Sequence, residues 1–184
     1  TWDITKLLGP AAWTYYYLYV MLDLFSRYVV GWLLADEESG RLARRLIENS
    51  YQNQGVKKGQ LTVHNDRGSP MQSLTVAQLM GVLGVVKSFS RPHVSNDNPY
   101  SEAQFKTLKY TPGFPGRFED QEAARIFCRP FYLWYNWEHR HQGIGFLTPA
   151  MVHFGKADIV VARRREVLAA AHARHPERFV RGMP

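Results

Sequence analysis

The most constraining stretch is residues 13–35, WTYYYLYVMLDLFSRYVVGWLLA, where two runs of aromatic and β-branched residues flank a short polar turn. Such runs suit pleated, half-buried surfaces, and the turn at residues 23–27, DLFSR, is short enough to return the chain antiparallel. A further strand over residues 1–5, before the Gly9-Pro10 turn, makes an antiparallel meander of the first three strands. Asp23 is read as a turn former bonding nearby backbone amides rather than as a metal ligand.

Past the meander the period changes. Over residues 39–54, Leu42, Leu46 and Ile47 share one helical face, Arg41, Arg44, Arg45 and Glu48 take the others, and Ser39 is placed to cap. Gly55 and Gly59 end that helix. A buried strand over 61–64, an amphipathic helix over 74–83 and a short strand over 85–88 follow. Three strands, then helix, strand, helix, strand and further helices predict an α/β fold with a mixed five-stranded sheet flanked by helices.

Residues 89–99, FSRPHVSNDNP, are polar with two prolines, which predicts a mobile loop. Asn98 followed by Pro99 has the pattern of an N-cap and first helical residue, and this sets Glu102 in the first turn of the next helix. Lys106 and Lys109, four and seven residues on, share its face. The TPGFPG stretch, residues 111–116, ends that helix. Residues 120–138 form another, with Ala123, Ala124, Phe127, Phe131, Trp134 and Tyr135 as a core-packing face and a kink predicted at Pro130. A last helix spans 160–173, ended by His175-Pro176.

A net charge of +7 and a sequence pI of about 9.6 suit a polyanionic partner without selecting one. The excess is concentrated. Residues 156–184 carry seven basic side chains against three acids, so this basic helical extension reads as a nucleic-acid or partner contact appended to a core over residues 1–155. The single cysteine, Cys128, excludes an internal disulfide and a Cys-rich zinc site, and fits a reducing compartment. His139/His141 and His172/His175 lack Cys or acidic partners at structural-zinc spacing and are read as exposed or hydrogen-bonding. No apolar run of about 18 residues marks a membrane span, and no signal peptide is visible. Without an initial Met, and with a candidate site residue at position 3, the chain reads as an excised domain.

The chemistry centres on LTVHNDRGSP, residues 61–70, where a strand ends in a polar turn presenting Asp66. Asp3 lies on the first strand, and 35 residues separate Asp66 from Glu102. Each acid alone has an ordinary explanation: strand end, turn former, helix-dipole partner. Three converging carboxylates would raise one another's pKa unless a divalent cation removed the conflict. Mg²⁺ and Mn²⁺ prefer such oxygen ligands and serve phosphodiester chemistry.

The blocks WDIT at Asp3, YLYVMLDLFSRYVVGW at 17–32, VHNDRGS at 63–69, SEAQFKTLKY at 101–110 and YNWEHRHQGIGFLTP at 135–149 resemble the catalytic cores of retroviral-integrase-like, D,D(35)E transposases of bacterial insertion sequences. The resemblance covers roughly residues 1–155 and implies a ribonuclease H-like fold. It implies Asp3, Asp66 and Glu102 as catalytic and metal-binding residues for Mg²⁺ or Mn²⁺, two ions with DNA bound, and phosphodiester cleavage and strand transfer at transposon ends. Lys106 and Lys109 match positions that face DNA. His64, Asn65 and Arg67 are assigned loop shaping or substrate contact. Arg140-His141 and Thr148-Pro149 are read as packing and capping. The implied partners are transposon-end and target DNA and further copies of the chain, in the bacterial cytoplasm at the nucleoid. End recognition is expected from an N-terminal region not contained in this sequence. The alternatives are a ribonuclease H-type or junction nuclease, which would need Glu122 or Glu138 as a fourth carboxylate, and a DNA-binding or assembly module without catalysis.

Overall fold

The computed structural model describes residues 1–66, 68–89, 91 and 98–182. Three antiparallel strands, β1 (Trp2–Leu8), β2 (Tyr15–Leu22) and β3 (Val29–Ala35), form the predicted meander in the order β1-β2-β3. Asp3 stands opposite Val20, and the register shifts once, between Met21 and Leu22. Helix α1 (Gly40–Asn53) follows, with the Ser39 side chain accepting from the Leu42 amide as expected of its cap. Next come β4 (Thr62–Asn65), α2 (Leu74–Leu83) and β5 (Val86–Phe89), with β4 and β5 parallel.

The second half is helical: α3 (Pro99–Lys109), α4 (Gln121–Trp137), a 3-10 turn at Gln142–Ile144, α5 (Pro149–His153) and α6 (Ala157–Arg174). Most of the predicted loop at 89–99 lies outside the described residues. Helix α4 continues through Pro130, which sits on its exposed side. There Ile126 is also exposed, so water can take the carbonyl that the proline leaves without a donor.

Alternation along β1 and β2 builds two cores, one on each face of the meander. Leu7, Leu18, Val20 and Leu22 pack with Phe105 and Leu108 of α3 and Phe131 and Tyr135 of α4. Trp2, Tyr19 and Met21 pack with Leu46 and Ile47 of α1 and Leu79 and Met80 of α2. A strand covered on both faces needs apolar residues at both parities, which is why β2 reads as one unbroken hydrophobic run. Each such buried side chain contributes about 1.5–3 kcal/mol.

One expectation is corrected. The ladders form a three-stranded and a two-stranded sheet, not one five-stranded sheet. Strand β4 lies against β1 without ladder bonds among the described residues. At their junction the His64 carbonyl accepts from a side chain, the Thr1 hydroxyl at 2.9 Å. Helix α6 buries no residue. No helix among the described residues is long and apolar enough to cross a membrane.

Candidate active site

Side chains alternate along a strand, so Asp3 shares a face of β1 with Thr1, Thr5 and Leu7, the face that meets α3. Its Oδ1 accepts from the Ile4 amide at 2.7 Å. Asp66 follows the last residue of β4, and its Oδ1 accepts from the Gly68 amide at 2.8 Å. A Cβ at Gly68 would stand 2.7 Å from Met71 Sδ and 3.1 Å from Asp66 Oδ1, so a larger residue there would make Met71 shift. Glu102 sits in the first turn of α3, behind Pro99.

The three acids belong to three elements but share an electrostatic environment. Burial pushes the Asp3 carboxyl up to about 7, against the Ile4 hydrogen bond, and repulsion from Asp66, Glu102 and Glu38 adds to the rise. Glu38 is a contributor that the sequence offered no signal for; it stands just before α1. Among the described residues, no three His, Cys, Asp or Glu side chains form a ready-made group able to hold a metal ion.

Around the acids the elements are tied together by polar side chains. Thr1 Oγ1 lies 2.9 Å from the His64 carbonyl and 2.8 Å from Asn98 Oδ1, joining the starts of β1 and α3 to the end of β4. Asn98 was expected to cap α3 but makes no side-chain cap bond; its side chain is engaged with Thr1 instead. A second contact holds the same helix end: the Arg27 guanidinium lies 3.7 Å over the Tyr100 ring. Arg27 adopts a left-handed backbone, with φ 65°, at the corner between β2 and β3.

The residues expected to meet DNA take different positions. Lys106 is exposed on α3. Lys109 reaches β1, donating from Nζ to Thr5 Oγ1 at 2.8 Å, and desolvation there lowers its pKa below the ordinary lysine range. His64 Nδ1 lies 3.0 Å from Ser88 Oγ, between the two parallel strands. Asn65 is buried and its amide donates to the Asp66 carbonyl at 2.6 Å. Arg67 lies outside the described residues.

Other polar residues serve packing. The Thr148 side chain caps α5, with Pro149 at its start, and Arg140 donates to the Phe146 carbonyl at 3.3 Å. His139 and His141 meet edge to face, and His141 also meets Tyr135. Burial, with the neighbouring His139 and Arg27, lowers His141 to about 4. Glu122 pairs with Arg125 at 3.1 Å and is largely exposed, and Glu138 is exposed at the end of α4.

Comparisons with known proteins agree with this architecture. The integrase core domain family matches residues 1–95, and a second integrase core domain family matches residues 83–149. The chain is 30% identical over 134 residues to the transposase for insertion sequence element IS904 of Lactococcus lactis subsp. lactis (strain IL1403), covering 72% of this chain and 53% of that protein. It is 28% identical over 148 residues to transposase InsF for insertion sequence IS3A of Escherichia coli (strain K12), covering 80% of this chain and 50% of that one. The chain thus spans about half the length of the curated relatives it matches.

Among solved structures, the catalytic core domain of BIV integrase superimposes with a TM-score of 0.59 at 17% identity, over 87% of this chain and 97% of that one. The HTLV-2 integrase catalytic core domain in complex with magnesium, in a dimeric form, gives 0.60 at 15%, over 83% and 94%. At such identities the likeness is one of fold, the ribonuclease H-like α/β fold of retroviral integrase cores. Because the match to residues 1–95 alone takes in more than half of the chain, the protein belongs to the integrase core domain family.

Proposed function

We propose that this chain is the catalytic core of an insertion-sequence transposase, a polynucleotidyl transferase that cleaves phosphodiesters at transposon ends and joins the exposed 3′-hydroxyl to target DNA. The observation that carries the reading is the Asp3 carboxyl, raised to about 7 mainly by burial, with repulsion from Asp66, Glu102 and Glu38 added. Carboxylates that raise one another's pKa are relieved by a cation between them.

The donor set fits a hard cation. Asp3, Asp66 and Glu102 would hold Mg²⁺ or Mn²⁺, since all offer carboxylate oxygen and none offers sulfur or imidazole. Such an ion supplies Lewis acidity toward phosphate oxygens when bound. The protein's own contribution is placement: β1 and the Asp66–Gly68 turn orient two carboxylates, and α3 carries the third across from them. On the same helix Lys106 is positioned to meet a DNA phosphate, while Lys109 is held against β1 by Thr5.

Residues 1–155 are the catalytic unit in this reading, and the extension from 156 is a second DNA contact. Lys156, Arg163 and Arg174, spaced by seven and eleven residues, fall on one line of the exposed α6 surface. Arg164 fixes the helix to the core by donating to the Gly145 and Phe146 carbonyls at 2.6 and 2.8 Å. The substrates are transposon-end and target DNA, the working form is an oligomer on DNA, and the setting is the bacterial cytoplasm. End recognition resides in a further region of the whole protein.

The test is joining of a labelled 3′-hydroxyl DNA end in Mn²⁺ or Mg²⁺, compared with hydrolysis of an RNA–DNA hybrid. Metal-dependent joining lost in Asp66→Asn supports the reading. Hybrid hydrolysis without joining would assign a ribonuclease instead.

A further inference from the structure

The three acid-bearing elements meet at one hydroxyl. Thr1 lies two residues before Asp3, His64 two before Asp66, and Asn98 four before Glu102. Thr1 Oγ1 is 2.9 Å from the His64 carbonyl and 2.8 Å from Asn98 Oδ1. Thr1 and Asn98 are both more than nine-tenths buried, at 8% and 7% exposure, so water does not substitute freely for these bonds.

A hydroxyl has one proton and cannot donate to two oxygens at once. Exchanging the Asn98 amide oxygen and nitrogen resolves the conflict, and the amide atom without a partner among the described residues is then the oxygen rather than Nδ2. The amide then donates to Thr1 Oγ1, and the hydroxyl donates to the His64 carbonyl. The result is a directed relay from α3 through β1 to β4. It also accounts for two features already noted: Asn98 leaves its capping role, and the β1–β4 junction is closed by a side chain.

We propose that Thr1 and Asn98 are positioning residues that set the separation of Asp3, Asp66 and Glu102, and so the affinity of the site for a divalent cation. This rests on the transposase reading above. Repulsion among the three carboxylates tends to spread β1, β4 and α3 apart, and the relay ties the same three elements within a few residues of each charge. A separate contact, the Arg27–Tyr100 stack, ties α3 to the corner between β2 and β3. Among the described residues, the relay is a contact shared by all three acid-bearing elements.

The experiment is calorimetric titration of the protein with Mn²⁺ alone, for wild type, Thr1→Val, Thr1→Ser and Asn98→Ala, with metal-free melting curves alongside. Thr1→Val keeps shape and deletes the hydroxyl; it weakens Mn²⁺ binding by about tenfold or more, as loss of groups that orient metal ligands does. Thr1→Ser restores binding to within about threefold, and Asn98→Ala weakens it as Thr1→Val does. Wild-type affinity in Thr1→Val, or equal impairment in Thr1→Ser, overturns the relay while leaving the transposase reading intact. Absence of Mn²⁺ binding by the wild type overturns both.

Discussion

Asp3 and Asp23 stand at the same end of the antiparallel β1–β2 pair, one near the start of β1 and one just past the end of β2, and the fold treats them in opposite ways. Asp23 ends β2 in the DLFSR turn. Burial disfavours its charge, but donors outweigh that: the Ser26 hydroxyl, the Ser26 amide at 3.1 Å, the Phe25 amide at 3.4 Å and His153 at 3.4 Å leave its pKa lowered. Asp3 has one backbone amide to set against burial, and its pKa is raised chiefly by that burial, with repulsion from Asp66, Glu102 and Glu38 adding to it. The difference separates a carboxylate that completes its own turn from one whose charge the protein leaves uncompensated. In the transposase reading only the second has a use for a cation.

The comparison breaks first on activity. Asp66→Asn, which alters the turn beside Asp3, abolishes metal-dependent DNA joining while the metal-free protein melts at the same temperature or slightly higher, because a repelling charge is gone. Asp23→Asn does the reverse: joining persists below the melting transition, and stability falls by about 1–2 kcal/mol as charge-assisted hydrogen bonds are lost. For a chain of this size that corresponds to roughly 3–6 °C in Tm.

The two aspartates also give opposite pH slopes. Asp3 binds a proton more tightly when folded, so its contribution to metal-free stability is greatest below the unfolded value of 3.8 and declines as pH rises from about 4 to 7. The folded pKa of Asp23 is depressed, so its contribution is present above the unfolded value and is lost as pH falls through the folded one. Melting curves of wild type, Asp3→Asn and Asp23→Asn across pH 3–8 separate them: His141, whose lowered pKa gives a rise over the same range, is common to all three, so the stability of wild type relative to Asp3→Asn declines between 4 and 7 while that relative to Asp23→Asn does not. The smallest effect belongs to the basic surface. Lys106→Ala reduces the slope of log affinity against log salt for duplex DNA by about one, with no change in melting temperature.

How much of this was legible beforehand depends on what each feature requires. Helix α2 has the residue bounds that periodicity suggested, and Ser39, Asp120 and Thr148 cap their helices through local bonds that sequence spacing encodes. Asp23 was readable for the same reason, since its backbone partners lie within three residues. The sheet was harder. Whether β4 joins β1 through ladder bonds depends on register between strands more than fifty residues apart, which residue pattern does not carry. Thr1 and Asn98 are polar residues beside acids, and nothing in their spacing of 97 residues announces a contact. Glu38 enters the site only through the folded placement of α1. The site's acids were visible as a motif, whereas the groups that place them become visible only in three dimensions.

The central claim is that Asp3 belongs to a cation site and Asp23 does not. The direct measurement is the Mn²⁺ dependence of Tm for wild type, Asp3→Asn and Asp23→Asn at pH 7. The account predicts a saturable rise in wild type and an equal rise, from a lower baseline, in Asp23→Asn, because a ligand that binds only the folded state stabilises it by mass action. It predicts no rise in Asp3→Asn. A wild-type-sized rise in Asp3→Asn would contradict it.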